Sequence, residues 1–326
     1  MTHKILAALL FAGLAAQAAD YKIVARYPVP GNGGFDYVTL DPVARHLYMS
    51  HGNQVDVIEA DGGKVVGTIP DTPGVHGIAI ASEFKHGFTT NGRENKVSMF
   101  DPATLKLIRK IDVGKGPDGI FYHAATKRIF TNNHGTHDVT AIDAESGQVA
   151  GTVKLEGDGE QMIAGADGLL YVNSEEAGEV VVFDPKTLEV RKRFPVGVAK
   201  TPTGLAYDAK TNRLFIACRN KPVMVVMDAG SGKVILSFPI GASADWAEFD
   251  SDAGMIFVSA GEGTLNMFQQ KSADVYADAG SLKTQQSAKT MAFDAKTKKI
   301  FLPAAEYTTA PRALKPDSFT VIVAGK

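Results

Sequence analysis

The sequence predicts an all-β fold, a seven-bladed β-propeller of four-stranded antiparallel blades, and three observations carry that prediction. Residues 204–240 (GLAYDAKTNRLFIACRNKPVMVVMDAGSGKVILSFPI) break into four short apolar runs separated by AKTN, RNKP and AGSG. Short runs of β-branched and aromatic residues bounded by Gly, Asn, Asp and Pro are strand signals, and four in succession make a meander. Second, the unit recurs with an aromatic in its second strand: Tyr48, Phe88, Phe130, Tyr171, Phe215, Phe257 and Phe301, spaced 40–44 residues apart. That spacing is the period of a propeller blade. Third, the last unit lacks a fourth strand, while the N-terminal YKIVARYPVPG (Tyr21–Gly31) matches KVILSFPIG (Lys233–Gly241) in pattern. The N-terminal strand is therefore expected to complete the last blade, because an open ring would leave two unpaired edges.

In chain order, Met1–Ala19 has one Lys, a short apolar run and then small residues. This reads as a cleaved secretory leader, too short to span a bilayer, and points to a periplasmic or secreted protein. Residues 20–326 then form one domain, since the repeat runs through without a linker. The first blade uses DYVTL, HLYMS, VDVIEA and KVVGTIP, and the second HGIAI, HGFTTN, VSMFD and KLIRKIDVG. The third uses DGIFY, RIFTNN, VTAID and VAGTVKL, and the fourth QMIAG, LLYVNS, VVVFD and VRKRFPVG. After the fifth comes WAEFD, MIFVSA, LNMFQ and a weaker last strand near Ala273–Ala277. The seventh has TMAFD, KIFLPAA and FTVIVAG.

Net charge is −2 for the full chain, and loss of Lys4 with the leader makes the mature protein −3. Such a balance argues against nucleic acid, which needs a clustered basic surface. The single cysteine, Cys218, excludes an internal disulfide and reads as a buried strand-end thiol. No further apolar stretch is long enough to cross a membrane, and a monomer is expected.

The Phe-Asp and Ile-Asp cadence (Phe100-Asp101, Ile142-Asp143, Phe183-Asp184) and the strands FTTN (88–91), FTNN (130–133) and YVNS (171–174) carry a family resemblance. The chain resembles the YVTN-repeat propellers, the periplasmic YncE-like proteins, over essentially its whole mature length. The resemblance implies a secreted or surface binding protein, with nucleic-acid or metal roles proposed for some members. The repeats are scaffold, and each member decorates the mouth of its ring differently.

At that mouth, the residue just before each first strand is Asp36, His76, Asp118, Glu160, Thr203, Asp245 and Lys289 in turn. Six of the seven are ionisable where a scaffold needs only a turn residue. The neighbouring loops add His51, Arg93, His134, Glu175, Arg219 and Glu306, with Trp246 beside Asp245. Four carboxylates facing one lysine require a cation, a protonated His or a proton to offset them. The site residues expected from sequence are thus Asp36, His76, Asp118, Glu160, Asp245 and Lys289, with Trp246 alongside and Arg93 and Arg219 as anion contacts. The ligand is a small polar molecule, a cation or a periplasmic protein partner, and binding without chemistry is the leading reading. A divalent cation held by carboxylates and His76 is a candidate cofactor. His134 and His137 in HGTH offer two imidazoles, with no Cys or third His nearby.

An enzyme of the lactonase or lyase type remains the alternative, with His76 or His51 as base, Asp118 orienting it and Arg219 clamping an anion. A third reading is an interaction scaffold facing a membrane or redox partner. Nucleotide-binding, GxSxG, HExxH and CxxCH motifs are absent. Glu306–Asp317 lengthens a loop of the last blade and is a candidate lid or partner contact.

Overall fold

The structure, a computed structural model, describes residues 20–197, 199–309 and 313–326. The expected leader lies outside the described residues. Among them, 28 strands form seven four-stranded antiparallel sheets. In six blades the strands follow one another in sequence order. The first strands of those blades are Val38–Asp41, Val75–Ala81, Pro117–His123, Gly159–Ala164, Pro202–Asp208 and Ala244–Asp250. The seventh blade runs Ala292–Asp294, Lys299–Ala304 and Thr320–Gly325, and its fourth strand is Lys22–Pro28.

Closure by the N-terminal strand is therefore as expected. It pairs antiparallel with Thr320–Gly325, from Lys22 opposite Gly325 to Pro28 opposite Thr320, with one register shift between Ile23 and Ala25. Its side chains also reach both neighbouring blades. Tyr21 meets Phe257 edge-on at 5.2 Å in the sixth blade. Tyr27 covers Gly63 of the first, where a Cβ would lie 2.3 Å from the ring.

The repeated aromatics explain why the blades stack. All seven are fully buried, each wedged between its own sheet and a neighbour; Phe130 meets Phe183 at 5.7 Å and Phe215 meets Phe249 at 5.1 Å. The Asp that follows many third strands caps the next turn: Asp101 accepts from Ala103 N–H at 2.8 Å, and Asp184 from Lys186 N–H at 2.8 Å. Outer strands are half-exposed and carry Lys or Arg, such as Lys106, Arg109, Arg191 and Lys192, which discourages edge-to-edge pairing.

One strand differs from its sequence reading. The sixth blade's last strand is not weak: Val275–Lys283 is nine residues long and pairs with Thr264–Ser272 through two register shifts. Its polar VYADAGSLK hid it, because an outer strand buries little and so needs little apolar patterning.

Candidate functional site

Seven side-chain hydrogen bonds, one leaving each blade, fix the mouth. Thr39 donates to Ile78 O at 2.7 Å and Thr90 to Asp118 O at 2.5 Å, while Asn132 donates to Glu160 O. Asn173 donates to Gly204 O at 3.0 Å, Thr203 to Ala244 O at 2.9 Å and Ser259 to Lys289 O at 2.6 Å. Thr290 closes the circle by donating to Asp36 O. Thr39 reaches the middle of the strand Val75–Ala81, the other six bonds grip the start of the next blade's first strand, and four of these grip the backbone of a mouth residue itself. Sequence reasoning missed this circle. Its signal lay in the third letter of FTTN, FTNN and YVNS, where Thr90, Asn132 and Asn173 stand.

On this frame the expected residues meet as a chain of ion pairs. Arg219 binds Glu175 at 3.0 Å and also Asp245. Lys289 bridges Asp245 at 2.6 Å and Asp36 at 2.9 Å. His76 Nδ1 then lies 2.8 Å from Asp36 and 3.3 Å from Asp118, whose other oxygen is 3.2 Å from His134 Nε2. Glu160 completes the ring, accepting a hydrogen bond from Tyr37 at 3.4 Å. Thr203 is spent on the blade-to-blade bond, so Arg219 represents the fifth blade instead, and Glu175 adds a second carboxylate from the fourth. Five carboxylates thus face two permanent cations and two imidazoles.

The electrostatics follow from burial and order around the ring. Burial alone would raise the Asp36 carboxyl, but Lys289 and the hydrogen bond from His76 bring it down to about 2. Burial would lower His76, and Asp36 and Asp118 more than offset that, so its imidazole is raised and favours the protonated form. Asp118 is raised by burial and by Asp36. Glu160, only 7% exposed, is pushed well above the carboxylate range by burial and then by Asp245 and Asp118. The acid excess of the mouth thus raises the proton affinity of Asp118 and Glu160.

Beneath the mouth the first strands leave a cavity of about 350 Å³. Tyr37, Tyr122 and Trp246 line it together with the carboxyls of Glu160 and Glu248. Tyr37 and Trp246 meet edge-on at 5.3 Å, and Trp246 Nε1 donates to Glu248 at 2.9 Å. Burial pushes Glu248 up to about 7 from an ordinary 4.5. The folded protein then holds a proton that the unfolded chain releases, so stability falls as pH rises from about 4.5 to about 7. Glu248→Gln keeps an acceptor for Trp246 and removes this cost. Denaturant midpoints are expected to match wild type near pH 4 and to rise at pH 8, by up to about 3 kcal/mol at ~1.4 kcal/mol per pKa unit.

Three residues named from sequence sit apart from the chain of ion pairs. Arg93 is exposed at the lip of a smaller cavity, about 210 Å³, that it shares with Asp36 and His76. His51 is buried against Phe319 and pairs with Asp56 at 2.6 Å, away from Asp118 and Arg219. Glu306 pairs with Lys315 at 2.7 Å. Within the loop bearing Glu306 a bridge joins Tyr307 to Leu314, and Asp317 accepts from Gly31 N–H at 3.3 Å and donates its own N–H to Asn32 at 3.1 Å. Its Pro311 and Arg312 lie outside the described residues. Cys218 is buried and its thiol is pushed up to about 12 by burial, which makes it inert.

The family model described as the YNCE-like beta-propeller matches residues 74–302. The chain belongs to the YNCE-like β-propeller family. Two curated relatives, each described as "Uncharacterized protein YncE", come from Salmonella typhi and Salmonella typhimurium. Each is 26% identical over 151 residues, a stretch spanning 43% of this YNCE-like chain and only 42% of the relative. Among solved structures, a chain of Kuenenia stuttgartiensis hydrazine synthase superposes with a TM-score of 0.74, covering 87% of this chain and 96% of that one. At 13% identity that likeness shows the propeller fold alone. Among the described residues no helix is long and apolar enough to cross a membrane.

Proposed function

We propose that this YNCE-like propeller is a binding protein that takes a small polar ligand carrying positive charge, or a metal cation, at the mouth of its ring. The observation that supports this reading is the ring of charged residues drawn from the blades. It carries more carboxylates than cations and stands above a cavity walled by Tyr37 and Trp246. A cation entering there meets carboxyls of Glu160 and Asp118 whose proton affinity burial and their neighbours' charges raise, and it offsets the same repulsion. Asp36, His76 and Asp118 place their donor atoms within 4.8 Å of one another, a spacing that suits a divalent ion. Asp245, Lys289 and Arg219 hold the rest of the ring in register, and Arg93 at the lip meets any anionic part of the ligand.

Binding is preferred over lactone or lyase chemistry because His76 is clamped between two carboxylates. A protonated imidazole is a poor general base. A periplasmic or secreted address, with residues 1–19 as leader and 20–326 as one monomeric domain, fits the pattern of the N-terminus. A nucleic-acid partner is disfavoured by the acidic mouth.

The reading is tested with Ca²⁺ and with putrescine as probes, by calorimetry on wild type and on the Asp118→Asn, Glu160→Gln double variant. Binding of at least one probe is expected to weaken more than tenfold in the variant, about 1.4 kcal/mol. The melting temperature without ligand should hold or rise, since two mutually repelling carboxyls are gone. Equal binding by variant and wild type would remove the mouth as the site.

A further inference from the structure

The geometry points to a second site next to the mouth, which it meets through His134: His137, Asp158 and Glu176, with His134 beside them, bind a divalent transition-metal ion of the zinc class on the rim of the third and fourth blades. It does not depend on the mouth taking a ligand. The ligand atoms of His137, Asp158 and Glu176 all lie within 4.8 Å of one another. His137 Nδ1 is 3.0 Å from one Asp158 oxygen and His134 Nδ1 is 3.8 Å from the other. An ion bonded at about 2.0–2.2 Å to each partner keeps its ligand atoms roughly 3–4 Å apart.

Two further features favour an ion over a pair of salt bridges. His134 Nε2 faces Gly159 O at 2.8 Å and an Asp118 oxygen at 3.2 Å, both acceptors, so Nε2 carries the hydrogen. In the neutral ring Nδ1 is then a lone pair turned toward Asp158. Metal-bound histidines characteristically donate their second N–H to a carbonyl or carboxylate in this way. In addition, His137 Nδ1 and Asp158 Oδ1 are both shielded from water and, although close, are not aligned as a hydrogen bond. An ion between them satisfies both atoms.

The local chain is shaped to bring these groups together. His134–Thr136 forms one short three-ten turn, closed by His137 at φ +50°, which carries both imidazoles toward the adjoining blade. There Gly157 lets Glu176 approach, since a Cβ on Gly157 would lie 3.0 Å from that of Glu176. Two imidazoles with two carboxylates suit zinc, nickel or copper better than calcium, which prefers oxygen alone. The donors come from adjacent blades, which is why spacing within HGTH did not reveal them.

The test titrates the full mature chain with Zn²⁺ against a chromophoric chelator and with Co²⁺ by visible absorption. One ion that survives His76→Asn in the mouth is expected at the rim, with the Co²⁺ band of a low-coordinate nitrogen and oxygen site. His137→Gln and the exposed Glu176→Gln should each weaken Zn²⁺ binding by at least about 10–100-fold, the loss that even outer partners of a metal cause. His76→Asn in the mouth should leave it unchanged. Failure of wild type to bind Zn²⁺ at micromolar concentration, or full retention in both rim variants, overturns the site. Loss in His76→Asn with retention in His137→Gln would assign the ion to the mouth instead. Apo melting temperatures of the variants, expected to match wild type, separate lost binding from lost folding.

Discussion

Deleting Tyr21–Pro30 is expected to abolish cooperative folding at 37 °C or to leave an aggregating species. The deletion strips the fourth strand from the last blade and exposes the whole edge of Thr320–Gly325. It also removes the buried Tyr21, Tyr27 and Val29. Burial of a large apolar side chain is worth about 1.5–3 kcal/mol. Three such losses, with a lost ladder, rival the 5–15 kcal/mol that holds a typical domain together. Circular dichroism melting and size-exclusion chromatography read the effect. A synthetic Tyr21–Pro30 peptide added in trans should restore cooperative melting by donating the missing strand. Unchanged melting of the deletion variant would mean that the ring does not depend on this closure.

This closing strand was legible because pattern matching is strongest where one face of a strand is buried. Tyr27 and Val29 occupy the positions of Phe238 and Ile240 in the fifth blade's last strand, and both strands end in Pro within the same cadence. The seven aromatics were legible for the same reason, since each fills the same slot between sheets. Val275–Lys283 was obscured because its neighbours ask little of it. Its register with Thr264–Ser272 is held by backbone bonds, which leave no trace in side-chain type.

The site was legible in part. The position before each first strand marks the mouth in any propeller, so Asp36, His76, Asp118, Glu160, Asp245 and Lys289 could be picked out by alignment of the blades alone. Which of them touch could not. Asp245 meets Lys289 across 44 residues and Arg219 across 26, distances set by the rotation from blade to blade. Thr203 was picked out with the others, yet it works as a stitch to Ala244. The cavity, with Glu248 in its wall, is a volume left by converging strands, and no single stretch of sequence encodes a volume.

Lys289→Met is expected to destabilise the protein at pH 8 by about 2–3 kcal/mol. Lys289 is the link that joins Asp245 and Asp36, and Asp245 is only 4% exposed. Breaking a fully buried pair by removing one partner costs about 3–5 kcal/mol, because a charge is left without compensation. The lysine keeps 36% of its side chain exposed, which places the loss below that range. The pH dependence gives the sign. Without Lys289, Asp36 loses the charge that holds it at about 2, and a proton becomes the cheaper partner. The variant should therefore recover part of its deficit at pH 5 in urea denaturation. Adding Asp245→Asn to Lys289→Met should cost less than the sum of the two changes, by about 1 kcal/mol or more of coupling. If Lys289→Met melts like wild type at both pH values, protons rather than the lysine are balancing the carboxylates of the ring. The mouth would then be more open to an incoming cation than the ion pairs suggest.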